Sequence, residues 1–245
     1  DGASLWDELQ YGLSTDLSAD DRVRAQNIAA TLPLLSQGIP FLQAGGDLIR
    51  SKSMDKNSYD SGDWFNLVDF SKQDNNWDVG LPREDKDGSN WDLIKTIISD
   101  STAKPDTSDI ELTKQQFLEL LKIRSSSELF RLDTAQEVMN RVDFRNVGQD
   151  QVAGLIVMSI DDGVSAGQDL DPNNDAIVAI VNSSSEAQSF TVAGASGFEL
   201  HDVLKSSADT VVQGASFSGE TFTVPALTTA VFVQPQGTTQ GEGLP

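Results

Sequence analysis

The chain has 245 residues, with 38 acidic against 17 basic side chains and a formal net charge of −21 at pH 7. A surface of that sign repels phosphate backbones and anionic lipid headgroups, which argues against nucleic-acid and membrane partners. Cysteine is absent, so disulfides, thiolate zinc sites and cysteine nucleophiles are excluded. No stretch approaches the roughly 20 apolar residues of a membrane span, and the length predicts two regions that each bury a core. The start, Asp1-Gly2-Ala3-Ser4-Leu5-Trp6, has neither an initiator Met nor the basic and apolar regions of a signal peptide, and reads as a cut end.

Residues 4–13 place Leu5, Trp6, Leu9 and Leu13 on one helical face behind Ser4 as N-cap. A second helix is expected after Ser18-Ala19-Asp20-Asp21, with Val23, Ile28, Ala29, Leu32 and Leu35 at helical spacing and Pro33 kinking its end. Gly38 stops it. The apolar run Ile39-Pro40-Phe41-Leu42-Gln43-Ala44, closed by Gly45-Gly46, reads as a buried strand. Helix, glycine, buried strand and glycine-rich exit together look like one turn of an α/β barrel.

Residues 47–109 are polar, turn-rich and aromatic, with Trp64, Phe65, Phe70, Trp77 and Trp91 among Asp, Asn, Ser and Gly. A stretch of this length without regular structure is usually functional or disordered, and its tryptophans argue for order. A short helix is expected from Trp91, and a longer one over residues 110–124. Beyond residue 130 the apolar period switches to two, predicting strands over residues 138–142, 155–160, 176–181, 189–192 and 229–233. The fold class read here is α+β by content. Residues 1–129 would form the tail of a (β/α)8 barrel with a long active-site loop, residues 130–236 an antiparallel β-sandwich, and residues 237–245 a disordered tail.

The most specific segment is Arg50-Ser51-Lys52-Ser53 followed by Ser58-Tyr59-Asp60-Ser61-Gly62-Asp63-Trp64-Phe65-Asn66. It resembles the segment after the last barrel strand in debranching enzymes of the pullulanase and limit dextrinase type, within the alpha-amylase superfamily. Gln37-Gly38-Ile39-Pro40-Phe41, Asp74-Asn75-Asn76-Trp77, Val79-Gly80-Leu81-Pro82-Arg83, Arg141-Val142-Asp143-Phe144-Arg145-Asn146 and Phe222-Thr223-Val224-Pro225-Ala226-Leu227 are similar to that family as well. The resemblance implies the C-terminal portion of a secreted, extracellular or periplasmic, glycoside hydrolase. Such an enzyme cleaves α-1,6-glucosidic linkages of pullulan, amylopectin or limit dextrin by a retaining two-carboxylate mechanism that requires no cofactor. Nucleophile and general acid would lie upstream, so this portion alone is expected to be inactive and to need the N-terminal part of the same enzyme as its partner. Asp1, followed by Gly2-Ala3-Ser4-Leu5-Trp6-Asp7, aligns with the family's transition-state-stabilising acid, although Gly2 stands where Asn is usual.

Asn57, Tyr59, Asp60 and Trp64 are the candidate substrate-binding residues, since amide, carboxylate and phenol groups bond sugar hydroxyls and aromatic faces stack on pyranoses. The competing reading is a self-capping loop in which Asp and Asn bond their own backbone. Asp169, Asp171, Asn173 and Asp175 alternate as calcium ligands do, but the sixth position is Asn174 rather than Gly and the twelfth is Ile180 rather than Glu; a turn before a strand reads at least as well. No metal ligand is assigned. His201, the single histidine, reads as structural. The alternative function is a non-catalytic carbohydrate-binding or structural sandwich module.

Overall fold

The structure, a computed structural model, describes residues 2–245. Asp1, the candidate transition-state stabiliser, lies outside the described residues. The chain separates into two compact units. One comprises residues up to Ala30 together with Phe41–Phe117, and the other Thr31–Pro40 with Leu118–Pro245.

In the first unit, α1 (Leu5–Gly12) begins as its sequence dictates, with Ser4 Oγ accepting the Asp7 N–H at 3.2 Å. Its apolar face is carried by Trp6, which is buried and donates from Nε1 to the Ala103 carbonyl at 3.1 Å. Trp6 joins Val23, Leu48, Ile49, Met54, Trp77, Ile94 and Ile110 in one core. Those residues come from α1, from α2 (Ala19–Leu35), from the long loop, from α4 (Trp91–Ile98) and from α5 (Thr107–Ser126). The loop is therefore ordered by contributing core residues of its own, and it contains the short helix α3 (Glu84–Asp87). Arg22 ties α2 to the loop after α4, donating to Gln10 Oε1 at 2.6 Å, Thr102 Oγ1 at 3.1 Å and Asp100 Oδ2 at 2.9 Å.

Residues 39–44 form no strand. A β-strand is held by neighbours that take up its N–H and C=O groups; here the Gln43 carbonyl is taken by the Gly46 N–H at 3.0 Å in a turn, and Phe41 is 89% exposed. Pro33 sits inside α2 without ending the helix.

In the second unit, the carbonyls at and after the end of α2 would be orphaned. Arg124 takes three of them, Leu34 O at 2.8 Å, Ser36 O at 2.8 Å and Gly38 O at 2.5 Å. The predicted strand over residues 138–142 is instead mostly helix, α6 (Ala135–Arg141), followed by the short β1 (Val142–Phe144). The reason is a capping box: Thr134 Oγ1 accepts the Glu137 N–H at 3.1 Å, while Glu137 Oε2 accepts the Thr134 N–H at 3.1 Å.

Two antiparallel sheets follow. The larger orders as β1, β2 (Leu155–Asp161), β3 (Asn174–Asn182), β8 (Thr228–Pro235) and β5 (Glu199–Leu200). The smaller orders as β4 (Gln188–Thr191), β7 (Thr221–Val224) and β6 (Ser216–Ser218). The sheets meet through phenylalanines, with Phe222 of β7 and Phe232 of β8 5.1 Å apart and Phe198 5.2 Å from Phe222. The opposite face of the larger sheet carries Phe144, Ile156, Met158, Ala179 and Val181, which with Thr31, Leu32 and Leu35 of α2 line a cavity of about 230 Å³. Central β3 is thus covered on both faces, which explains its continuous apolar run.

Several of the last residues are hydrogen-bonded to the second unit. Gln240 Nε2 donates to the Asp162 carbonyl at 2.8 Å, the Gly241 N–H to Asp175 Oδ1 at 2.8 Å and the Leu244 N–H to Asp161 Oδ1 at 2.9 Å, and Leu244 is buried. Asp169 and Asp171 are likewise occupied: Asp169 Oδ2 accepts from Gln236 and Asp171 caps the Asn173 and Asn174 turn. Among the described residues no group of three or more His, Cys, Asp or Glu converges as metal ligands. His201, at the N-cap of α7 (Asp202–Lys205), accepts the Val203 N–H at Nδ1 and stands 3.1 Å from Ser126 Oγ through Nε2. Burial holds its imidazole below the usual pKa.

Candidate functional site

The loop bearing the candidate glucan-contact residues is anchored from beneath by Asp7. Its carboxylate is fully buried and accepts from Ser51 Oγ at 2.5 Å and from the Lys52 N–H at 2.7 Å. Desolvation pushes the Asp7 carboxyl above the usual carboxylate range, against the lowering effect of its hydrogen bonds. The phenol of Tyr11 is pushed up to about 12 by burial and by the neighbouring carboxylates of Asp87, Asp7 and Glu8.

Above this anchor the backbone is left-handed at several non-glycine residues, Ile49 (φ 54°), Ser53 (52°), Met54 (66°) and Asn76 (69°). Each such residue costs of order 1–3 kcal/mol and persists only where its surroundings over-determine it. Here they do. Ser53 Oγ donates to the Gly80 carbonyl at 2.7 Å, Asn75 Nδ2 to the Ile49 carbonyl at 3.0 Å and Asn76 Nδ2 to the Trp64 carbonyl at 2.5 Å.

The outcome is an exposed aromatic pair on a pinned loop, with Tyr59 78% and Trp64 58% exposed. The indole of Trp64 folds back over Gly62, whose φ is 114°; a Cβ there would lie 2.6 Å from the ring. Gly62→Ala is therefore expected to cost about 1–3 kcal/mol and to displace the indole. A urea titration followed by tryptophan emission checks this, and an unchanged midpoint and spectrum would contradict it.

Asn57 and Asp60 lie in the same turn as Tyr59, a single 3-10 turn over Ser58–Asp60. The Asn57 N–H is capped by Asp55 Oδ1 at 2.8 Å, and Ser58 Oγ bonds Asn66 Oδ1 at 3.0 Å, so the self-capping contacts read from the sequence are present. They coexist with outward-facing groups. Both Asp60 oxygens meet cations: Oδ2 accepts from Arg83 Nη1 at 3.0 Å and Oδ1 from Lys86 Nζ. Lys86 also donates to the Asn57 carbonyl at 2.8 Å, and its ammonium stands 4.3 Å from the centre of the Tyr59 ring. Arg83 in turn binds Asp85 through Nε and Nη2 at 2.9 and 2.7 Å, which holds its guanidinium above the usual pKa.

Residues 72–235 match the family described as alpha-1,6-glucosidases, pullulanase-type, C-terminal. The chain belongs to that family. It is 45% identical over 242 residues to pullulanase 1, chloroplastic, of Arabidopsis thaliana, covering 96% of this chain and 25% of that protein. It is 41% identical over 247 residues to pullulanase of Klebsiella pneumoniae, covering all of this chain and 23% of that protein. Among solved structures it superposes with a TM-score of 0.94 on PulA from Klebsiella oxytoca, at 41% identity and covering 100% of this chain and 23% of that one. The maltotriose complex of PulA from Klebsiella pneumoniae gives the same TM-score at 42% identity, with 100% and 26% covered. The chain thus spans about a quarter of the length of these pullulanases.

The matched segment contains Arg83 and Lys86, whereas Asn57, Tyr59, Asp60 and Trp64 precede it. Sequence reading missed both cations. Arg83 stood in the quoted Val79–Arg83 motif, and an Arg and a Lys three residues apart around a short helix, in so acidic a chain, were the available signal.

Proposed function

We propose that this chain is the C-terminal portion of a pullulanase-type glycoside hydrolase that cleaves α-1,6-glucosidic linkages of pullulan and starch-derived branched glucans. The reaction would be retaining, with nucleophile and general acid supplied by an upstream barrel and Asp1 stabilising the transition state. Residues 39–44 would then be a barrel strand whose partners belong to that upstream part. Asn57, Tyr59, Asp60 and Trp64 would contribute the glucan-contact surface on a loop leaving the strand end, where barrel enzymes bind their ligands. An extracellular or periplasmic location belongs to the same proposal, although one of the relatives is named as chloroplastic.

The observation that carries this reading is the solvent-facing Tyr59 and Trp64 pair on a loop pinned by Asp7, in a chain 41% identical along its whole length to the pullulanase of Klebsiella pneumoniae. The alternative, a carbohydrate-binding sandwich, has less support. All four Trp and both Tyr lie between residues 6 and 91, which leaves only phenylalanine for stacking in the strands.

Reducing-sugar release from pullulan tests the proposal, with the 245-residue chain alone and then mixed with the separately produced upstream part. No release alone and recovery on mixing are expected; release by the chain alone would overturn the assignment of nucleophile and acid. In the full-length enzyme, Trp64→Ala and Tyr59→Ala are each expected to weaken maltotriose binding about tenfold, equivalent to roughly 1.4 kcal/mol. Calorimetry showing unchanged affinity in both would remove this loop from the glucan site.

A further inference from the structure

The geometry points to Lys86 as a positioning residue for glucan recognition, one that organises Asn57, Tyr59 and Asp60 as a unit and touches no substrate itself. The inference rests on the glucan-site reading of that loop.

A lysine ammonium has three N–H donors and no acceptor. Here one meets the Asn57 carbonyl at 2.8 Å, a second meets Asp60 Oδ1, and the charge stands 4.3 Å from the centre of the Tyr59 ring. All three partners belong to four consecutive residues, so one side chain fixes both ends of the turn and the ring between them. The Lys86 side chain is only 11% exposed, while Tyr59 projects with 78% of its surface free. One face of the phenol ring is engaged by the cation and its rotation is restricted, which leaves the opposite face for a pyranose at reduced entropic cost.

The same geometry gives Asp60 a further role. Arg83 on Oδ2 and Lys86 on Oδ1 bracket its carboxylate, so it serves also as the electrostatic anchor of the turn. Lys86 is held in place by α3, whose Asp87 N–H bonds the Arg83 carbonyl at 2.9 Å. Segments 57–60 and 83–86 thereby form one device.

The test uses the full-length enzyme carrying Lys86→Met, Lys86→Arg, Asp60→Asn or Tyr59→Ala. Lys86→Met is expected to raise KM for pullulan and Kd for maltotriose about tenfold while kcat changes less than about twofold, and Lys86→Arg to restore most of the affinity. Asp60→Asn should weaken binding by a similar factor, and Lys86→Met with Asp60→Asn should cost no more than either alone, because both remove one coupled unit. If Tyr59→Ala raises Kd while Lys86→Met leaves Kd and KM unchanged, the positioning role fails and the glucan site stands. If Tyr59→Ala and Trp64→Ala also leave Kd unchanged, the site reading fails with it. Should Lys86→Met not fold, Asp60→Asn with unchanged Kd overturns the proposal equally.

Discussion

Asp162→Ala is expected to lower the unfolding free energy of the second unit by about 3–5 kcal/mol. Asp162 is fully buried and paired with Arg141 Nη1, and it also accepts the backbone N–H groups of Leu170 at 3.0 Å and Asp171 at 2.7 Å. Arg141 Nη2 donates to the Gln168 carbonyl at 2.6 Å. Alanine would leave a buried guanidinium without its counter-ion and two N–H groups without an acceptor, in the turn that leads into β3. Asp162→Asn keeps an acceptor for those N–H groups and should lose clearly less. Urea unfolding followed by far-ultraviolet circular dichroism decides the matter; equal losses for Asn and Ala, or a loss below about 1 kcal/mol for Ala, would refute it.

Asp7→Ala is the second large effect, expected at about 2–6 kcal/mol because it strands the Ser51 hydroxyl and the Lys52 N–H, at roughly 1–3 kcal/mol for each buried donor left unsatisfied. The sign of its pH dependence follows from the raised carboxyl. A group whose pKa is higher in the folded than in the unfolded state contributes most below its unfolded value, near 3.8, and loses that contribution as pH rises through the folded value. The advantage of the parent over Asp7→Asn should accordingly shrink with rising pH across that interval. Urea midpoints read by tryptophan emission at a series of pH values check this, and an advantage that grows with pH would overturn the assignment of desolvation as the leading cause. On the proposed glucan-site reading, loosening of the loop would also carry to Tyr59 and Trp64, so in the full-length enzyme Asp7→Ala should weaken maltotriose binding.

Helices were legible where apolar spacing and a cap coincided. Ser4 before α1 and the spacing of α5 are instances. The error at residues 138–142 had a local antidote, the Thr134 to Glu137 capping box, which outweighs two valines four residues apart. Strands β6 and β7 were missed because they are short and rich in Ser and Thr. Their hairpin signal was the Gly219-Glu220 pair, both left-handed at φ 52° and 67°, as a two-residue turn requires. Residues 39–44 show the converse limit: an apolar run can state that it is fit for a strand, but pairing needs neighbours, and local sequence does not carry them.

The candidate site was half legible. Tyr59, Trp64 and the polar residues around them announce themselves by type and by the resemblance they carry. The cations that fix them come from a segment more than twenty residues later, and nothing in spacing alone joins Lys86 to Asn57. The role of Asp7 was hidden in the same way, because its partners Ser51 and Lys52 lie 44 and 45 residues downstream.

The distribution of chromophores gives the chain two separate natural reporters. All four tryptophans lie in the first unit, so intrinsic emission follows that unit alone. The single imidazole, His201, lies in the second, and its carbon-bound protons give one pair of histidine resonances in a proton magnetic resonance spectrum. Protonation at Nδ1 would remove the acceptor that caps α7. An acid titration watched through that pair of resonances therefore reads out the release of one short helix, with no label added.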